Sequence, residues 1–270
     1  MLGGVEKVVV TAAGLGTRLL PITKEIPKEM LPLPIKEGGE VVFKPMLQAI
    51  FEQLYEFGFR NFCFVVGRGK RTVEDYFTPD YEFLRYLRSK GKEKSAKLLE
   101  DFYEKISTSS VVFVNQPEPL GFGDAVYRAK PFVGSDSFLL HAGDDLVVSA
   151  NCKHLELLLR TFEERSAEAA FFVEQVEDPR KYGVVVGRRV GEGVLAVEDV
   201  VEKPEKPPSN LAVVAVYALR PSIFDSLEKV EPDASGEKQL TSAIKMLLEE
   251  GRSVYACLLY TSDAADDGES

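Results

Sequence analysis

The first residues able to do chemistry follow an apolar run: Val8-Val9-Val10-Thr11 leads into Ala12-Ala13-Gly14-Leu15-Gly16-Thr17-Arg18. Gly14 and Gly16 let the backbone turn and approach a bound group where a Cβ would interfere. The N–H groups so exposed can cradle phosphate oxygens, and Arg18 adds a planar charged fork suited to them. On the glycines alone, a tight turn explains the pair equally well. Two other phosphate motifs fail. A dinucleotide fingerprint needs a third glycine where Leu19 stands, and Gly69-Lys70 is followed by Arg71 instead of the Ser or Thr of a P-loop. Next comes Pro27-Lys28-Glu29-Met30-Leu31-Pro32, where two prolines stiffen the loop and can fix the direction of Lys28. Taken alone, Lys28 would be a solvated surface lysine. Further on, Ala142-Gly143-Asp144-Asp145 follows another apolar run. A carboxylate at a strand end is well placed to hold Mg²⁺ against a triphosphate, although an Asp pair there also reads as a helix cap or turn.

These residues need a frame, and the hydrophobic pattern supplies one. Val8–Thr11, Phe62–Val66, Val111–Val114 and Phe138–His141 are short and rich in β-branched or aromatic residues, as buried strands are. Pro45–Phe57 carries Met46, Ile50, Leu54 and Phe57 at helical spacing, with Gly58 as a stop. Strands alternating with helices predict an α/β fold with a Rossmann-like, doubly wound, mainly parallel sheet. Ligands in such sheets bind beyond the carboxyl ends of the strands, where the Gly14 loop falls. Residues 78–107 interrupt the alternation as a helical excursion packed outside the sheet; its charge run at Arg88–Lys97 reads as a solvated helix face. In the second half, Ala169–Val176 reads as a strand. Val184–Arg189 and Val194–Val201 flank a glycine turn as a β-hairpin. Asn210–Leu219 reads as a strand with Pro221 at a helix start, Gly236–Glu250 as a helix, and Val254–Leu258 as a last strand.

The run Ala-Gly-Leu-Gly-Thr-Arg followed by Pro-Lys-Glu-Met-Leu-Pro resembles the N-terminal signature of sugar-phosphate nucleotidyltransferases. Its second part is similar to that of the bacterial and archaeal UTP–glucose-1-phosphate uridylyltransferases. The resemblance implies nucleotide contacts from Ala13, Gly14, Gly16 and Thr17, with Arg18 and Lys28 as catalytic cations. Gln116-Pro117-Glu118-Pro119-Leu120-Gly121-Phe122-Gly123-Asp124 is similar to the segment that recognises uracil. Gln116 has the donor and acceptor an imide edge requires, and Gly121 offers backbone. The family usually has His at the position of Asp124, a change not expected to abolish nucleotide binding. Asp144 is implied as the Mg²⁺ ligand, with Asp145 supporting or structural. Lys181-Tyr182-Gly183-Val184-Val185 and Val201-Glu202-Lys203-Pro204 resemble the sugar-site elements: Gly183 and Glu202 would meet sugar hydroxyls, and Lys203 the sugar phosphate. Asn210 and Glu237, in two further similar segments, are candidates to line the site. The hairpin is thus the small sugar-binding part.

The implied reaction is transfer of a uridylyl group from UTP to glucose 1-phosphate. The alternatives are a glucose-1-phosphate thymidylyltransferase or a non-catalytic, nucleotide-sugar-binding regulatory subunit. The resemblance runs from about Lys7 to Leu258, giving one nucleotidyltransferase domain at 5–258 with the 78–107 insertion. Residues 259–270 are unmatched. Tyr260–Ser270 is small, polar and acidic, so a frayed tail is expected. The family's second metal-binding Asp has no counterpart, and Asp263, Asp266 and Asp267 are not given that role.

Composition agrees. The 270 residues are 45% hydrophobic, enough for one substantial core, and the net charge of −10 argues against a nucleic-acid-coating surface. There is neither a membrane-length apolar run nor a signal-peptide pattern, so a cytoplasmic protein is expected. Cys63, Cys152 and Cys257 match no metal spacing and read as small hydrophobes in a reducing compartment. His141 and His154 read as structural. Oligomeric state stays open, a homo-oligomer included.

Overall fold

Val8, Val9 and Val10 are wholly buried, so the strand that holds them must be covered on both faces. In the computed structural model, which describes residues 4–259, that strand is β1 (Lys7–Ala12). Val8, Val10 and Ala12 point into one hydrophobic cluster and Val9 into another, following the strand period of two. The further strands are β2 (Pro32–Glu37), β3 (Glu40–Pro45), β4 (Asn61–Gly67), β5 (Ser110–Gln116), β6 (Phe138–Ala142), β7 (Ala169–Gln175), β8 (Gly183–Gly191), β9 (Val194–Glu202), β10 (Leu211–Leu219) and β11 (Val254–Leu258). The main sheet has the order β5-β4-β1-β6-β10-β7-β11-β9-β8. Its β5-β4-β1-β6 half is parallel throughout, as the alternation predicts. β10 enters antiparallel between β6 and β7, β11 lies parallel to β7, and the β8–β9 hairpin closes the far edge.

The helices are α1 (Met46–Phe57), α2 (Arg71–Tyr76), α3 (Tyr81–Ser89), α4 (Glu93–Ser107), α5 (Phe122–Arg128), α6 (Lys130–Val133), α7 (Lys153–Glu164), α8 (Ile223–Lys229) and α9 (Leu240–Glu249). They cover both faces. Leu47, Ile50 and Leu54 of α1, Phe102 of α4 and Leu155, Leu158 and Phe162 of α7 join Val8 on one side. Ala125 and Val126 of α5, Ile223 and Leu227 of α8, and Ala243, Ile244 and Leu247 of α9 join Val9 on the other. The excursion at 78–107 is a helical hairpin: the Asp80 side chain accepts the Phe83 N–H at 2.9 Å to start α3, and Leu84, Leu87 and Ala96 form its own small cluster. No helix among the described residues is long and apolar enough to cross a membrane.

Two readings need correction or addition. The helix expected over Gly236–Glu250 begins only at Leu240. The preceding residues form a loop because the Asp233 carboxylate gathers the Ser235 N–H at 2.8 Å, the Glu237 N–H at 3.1 Å and the Gln239 side-chain amide at 2.9 Å. Such local side-chain bonding competes with a helix. The β2–β3 hairpin had no counterpart in the sequence reading. The expectation for Tyr260–Ser270 concerns residues outside those described.

Candidate active site

β1, β5 and β6 deliver their carboxyl ends to one rim, and each ends in a loop that glycine allows to close. After β1, Gly16 adopts a left-handed φ of 68° and starts a short turn at Thr17–Leu19. Its carbonyl accepts the Thr23 hydroxyl at 2.7 Å. Gly14 lies over Lys28: a Cβ there would come within 3.2 Å of the Lys28 ammonium. After β6, the Gly143 N–H donates to the Thr11 carbonyl at 2.8 Å, and a Cβ would sit 2.9 Å from that oxygen. Glycine therefore lets the β6 turn press on the end of β1, which brings Asp144 to the loop. The Lys28 ammonium donates to Asp144 Oδ2 at 2.5 Å. Asp145 faces away and accepts the Ala215 N–H of β10 at 3.2 Å, a structural role.

Lys28 is aimed by its neighbour. Glu29 is fully buried and paired with Lys70 at 2.8 Å, with Oε1 unpartnered. Burial pushes its carboxyl above the usual range against the pull of Lys70. With Glu29 held by Lys70, the short turn Lys28–Met30 is anchored, and Lys28 and Glu29 line the same cavity.

After β5, the Gln116 amide nitrogen donates to the Gly121 carbonyl at 3.1 Å and to Asp124 Oδ2 at 2.9 Å. Gly121, at φ 101°, has no room for a side chain: a Cβ would lie 2.8 Å from both Glu237 Cβ and the Lys238 carbonyl. The 236–239 loop is tied here, since the Lys238 N–H donates to Leu120 at 2.7 Å and the Gly123 N–H to Lys238 at 2.8 Å.

The hairpin forms the opposite wall. Gly183 of β8 pairs with Glu202 of β9. The Thr241 hydroxyl donates to Glu202 Oε2 at 2.9 Å, and Lys203 stands 3.3 Å from Glu202 Oε1. Lys203 has a φ of 39°, a left-handed backbone that costs a non-glycine residue energy and recurs where function demands it.

These walls enclose one open cavity of about 520 Å³. Ala13, Gly14, Gly16, Thr17, Arg18, Lys28, Gln116, Gly121, Asp144, Gly183, Glu202 and Lys203 all line it, so the residues read from distant segments converge on one space. Glu237 lines it too. Asn210 does not: it lines a separate cavity of about 200 Å³ with Arg189 and Leu258, because it precedes β10, beyond the Val213, Ala215 and Tyr217 positions of that strand that line the site. The sequence reading also missed Glu29, Gln239, Thr241 and Tyr217, which line the main cavity. Gln239 and Thr241 lie in the same similar segment as Glu237, so the Thr241 contact with Glu202 was within reach; Tyr217 sits mid-strand and carries no local signal. Three cations face this space, and Arg18 makes no ion pair among the described residues. Such an arrangement can grip two phosphorylated groups side by side.

Among the described residues, no group of three or more His, Cys, Asp or Glu side chains converges as a cation site. Burial keeps His154 neutral by pushing its pKa down to about 4, and lowers that of His141 as well. The cysteines are free thiols; burial pushes Cys63 up to about 12 and Cys257 to about 11.

The nucleotidyl transferase family model matches residues 7–263. A UTP–glucose-1-phosphate uridylyltransferase of Streptococcus pyogenes is 39% identical over 251 residues, spanning 90% of this chain and 78% of its own. A UDP-glucose pyrophosphorylase solved in complex with UDP-glucose aligns with a TM-score of 0.79 at 34% identity, covering 94% of this chain and 90% of the other. A UTP-bound UGPase from Acinetobacter baumannii aligns with a TM-score of 0.80 at 32% identity, covering 94% and 86%.

Proposed function

The chain belongs to the nucleotidyl transferase family, and from that premise we propose that it transfers the uridylyl group of UTP to glucose 1-phosphate, giving UDP-glucose and pyrophosphate. The observation that carries this reading is the single cavity walled on one side by the Gly14 loop, Lys28 and Asp144, and on the other by Gly183, Glu202 and Lys203. The catalytic domain is read as 5–258, with 78–107 as its helical insertion.

A phosphate oxygen of glucose 1-phosphate attacks the α-phosphorus of UTP, the bond to the β-phosphate oxygen breaks, and pyrophosphate leaves. The attacking oxygen is already anionic, so no protein nucleophile or general base is needed. The residues then act by positioning and by offsetting charge. The backbone of Ala13, Gly14, Gly16 and Thr17 cradles the triphosphate, and Arg18 and Lys28 offset its charge. Gln116 and Gly121 meet the base. Gly183 and Glu202 take the sugar hydroxyls, and Lys203 holds the attacking phosphate.

The donor set fits Mg²⁺. One Asp144 oxygen faces the loop with an ammonium already 2.5 Å away, and Mg²⁺ is ordinarily held by one or two carboxylates together with substrate phosphates. Asp144 would hold it, and when bound it would offset charge on the triphosphate. The three free thiols suit a reducing compartment, and the reading places the reaction in the cytoplasm.

The test is pyrophosphate release with UTP and glucose 1-phosphate in the presence of Mg²⁺, with dTTP run in parallel. Turnover that prefers UTP is expected. Preference for dTTP, or binding of UDP-glucose without turnover, would refute the assignment.

A further inference from the structure

The strongest unassigned feature lies behind Gln116. Asp124 is buried, with a side chain 6% exposed, and does not line the cavity. One of its oxygens accepts from Gln116 Nε2 at 2.9 Å. The other accepts from Arg128 Nη2 at 2.9 Å, one helical turn along α5, and Arg128 Nε also donates to the first at 3.3 Å. Arg128 thus supplies the countercharge that a buried carboxylate needs. The second hydrogen on Gln116 Nε2 goes to the Gly121 carbonyl at 3.1 Å.

Carboxylate and carbonyl oxygens only accept. Both partners of the Gln116 amide therefore demand its nitrogen, and an inverted amide would set Oε1 against two acceptors. The Oε1 atom accepts from no group among the described residues, while Gln116 itself lines the cavity. We propose that Asp124, backed by Arg128, is a positioning residue that locks the Gln116 amide with its carbonyl oxygen toward the base. The site then selects a pyrimidine whose N3 carries a hydrogen over one whose N3 carries a lone pair.

This rests on the uridylyl-transfer reading and on Gln116 meeting the base. Uracil offers N3–H to the locked oxygen. Cytosine presents an acceptor there and leaves both groups unsatisfied, a mismatch of the kind that discriminates strongly in a dry site. Thymine shares the imide edge, so the lock selects against cytosine and is indifferent between uracil and thymine.

The experiment measures kcat/KM for UTP and CTP, with glucose 1-phosphate and Mg²⁺ present, in the wild type and in the Asp124→Asn, Asp124→Leu and Gln116→Ala variants. An Asn at 124 can donate to Oε1, so only the Gly121 carbonyl still opposes the inverted amide, which would offer N–H to cytosine. Asp124→Asn is expected to lower the UTP:CTP ratio about tenfold, with KM for glucose 1-phosphate unchanged. Asp124→Leu removes the acceptor outright and serves as an independent variant; its ratio is expected to fall as well. Thermal melting verifies that each variant is folded. A folded Asp124 variant with the wild-type ratio overturns the lock. If Gln116→Ala also leaves KM for UTP untouched, the base-site assignment falls with it. If Gln116→Ala impairs UTP while Asp124→Asn keeps the ratio, only the lock fails.

Discussion

Gly143→Ala isolates the contact that brings Asp144 to the phosphate loop. An added Cβ would lie 2.9 Å from the Thr11 carbonyl oxygen and 3.2 Å from both Glu29 Cγ and Leu47 Cδ1. Unstrained carbon contacts begin near about 3.5 Å, so the β6 turn must retreat by roughly 0.5 Å. The Thr11 oxygen is backbone in a fully paired strand and cannot yield cheaply. Overpacking of this kind costs about 1–3 kcal/mol, and weakening the 2.8 Å bond from the Gly143 N–H adds up to about 1 kcal/mol. A loss near 2–3 kcal/mol lowers Tm by about 5–10 °C in a chain of this size. The same retreat carries Asp144 from Lys28 and the loop. A 1 Å error in a catalytic group can cost about a hundredfold in rate, so half of that should cost about tenfold. Differential scanning fluorimetry and a Mg²⁺ titration of turnover are the assays, with Gly191→Ala as control, since a Cβ there meets nothing closer than 3.5 Å. Wild-type turnover and Mg²⁺ half-saturation in Gly143→Ala would refute the claim that this contact places Asp144.

Lys203→Ala should raise KM for glucose 1-phosphate well above any change in KM for UTP, because Lys203 stands on the hairpin wall; equal effects in steady-state kinetics would remove its role. Lys70→Met strands the buried Glu29 carboxyl and should cost about 3 kcal/mol in urea unfolding, with Lys70→Met/Glu29→Leu recovering most of it; identical midpoints for the single and double variants would show that the pair contributes nothing. Burial pushes His154 down to about 4, so below its ordinary 6.5 the unfolded chain takes a proton that the folded chain refuses. That contribution is fully present above pH 6.5 and is lost as pH falls toward 4. His154→Gln should therefore flatten the decline in urea midpoint between pH 7 and 5, and an unchanged pH slope would contradict this.

What the sequence disclosed was mostly what is local. β1, β4, β5 and β6 and their glycine-bearing exits were readable because a short β-branched run and a turn residue each act within a few positions. The β8–β9 hairpin was readable because two β-branched runs flank a glycine turn. What escaped depends on distant partners. Gly143 is required by Thr11 and Leu47, and Gly121 by Glu237 and Lys238; no spacing announces either contact. The loop at 236–239 looked helical because its neighbours do, and only the Asp233 carboxylate collecting N–H groups overrides that pattern. Asn210 was placed by motif alone; it precedes β10 on the same rim but beyond the part of that strand that lines the site, and falls in a neighbouring cavity.

The acidic balance of the chain and its proposed polyanionic substrates are reconciled in the same cavity. Two of the three facing cations are paired with acids: Lys28 with Asp144, and Lys203 with Glu202. Neither pair is deeply buried; the Asp144 side chain is 35% exposed and that of Lys203 53%. Pairs at such exposure contribute about 0–1 kcal/mol, so a phosphate can take over either cation at little cost. The Lys70–Glu29 pair is the opposite case, buried on both sides and expensive to break. Adjacent residues in one turn thus divide the work: Glu29 is fixed so that Lys28 can change partners without the loop moving. Were the burial reversed, the lysine that must exchange its partner would be held fast, and the turn that must hold it still would be loose.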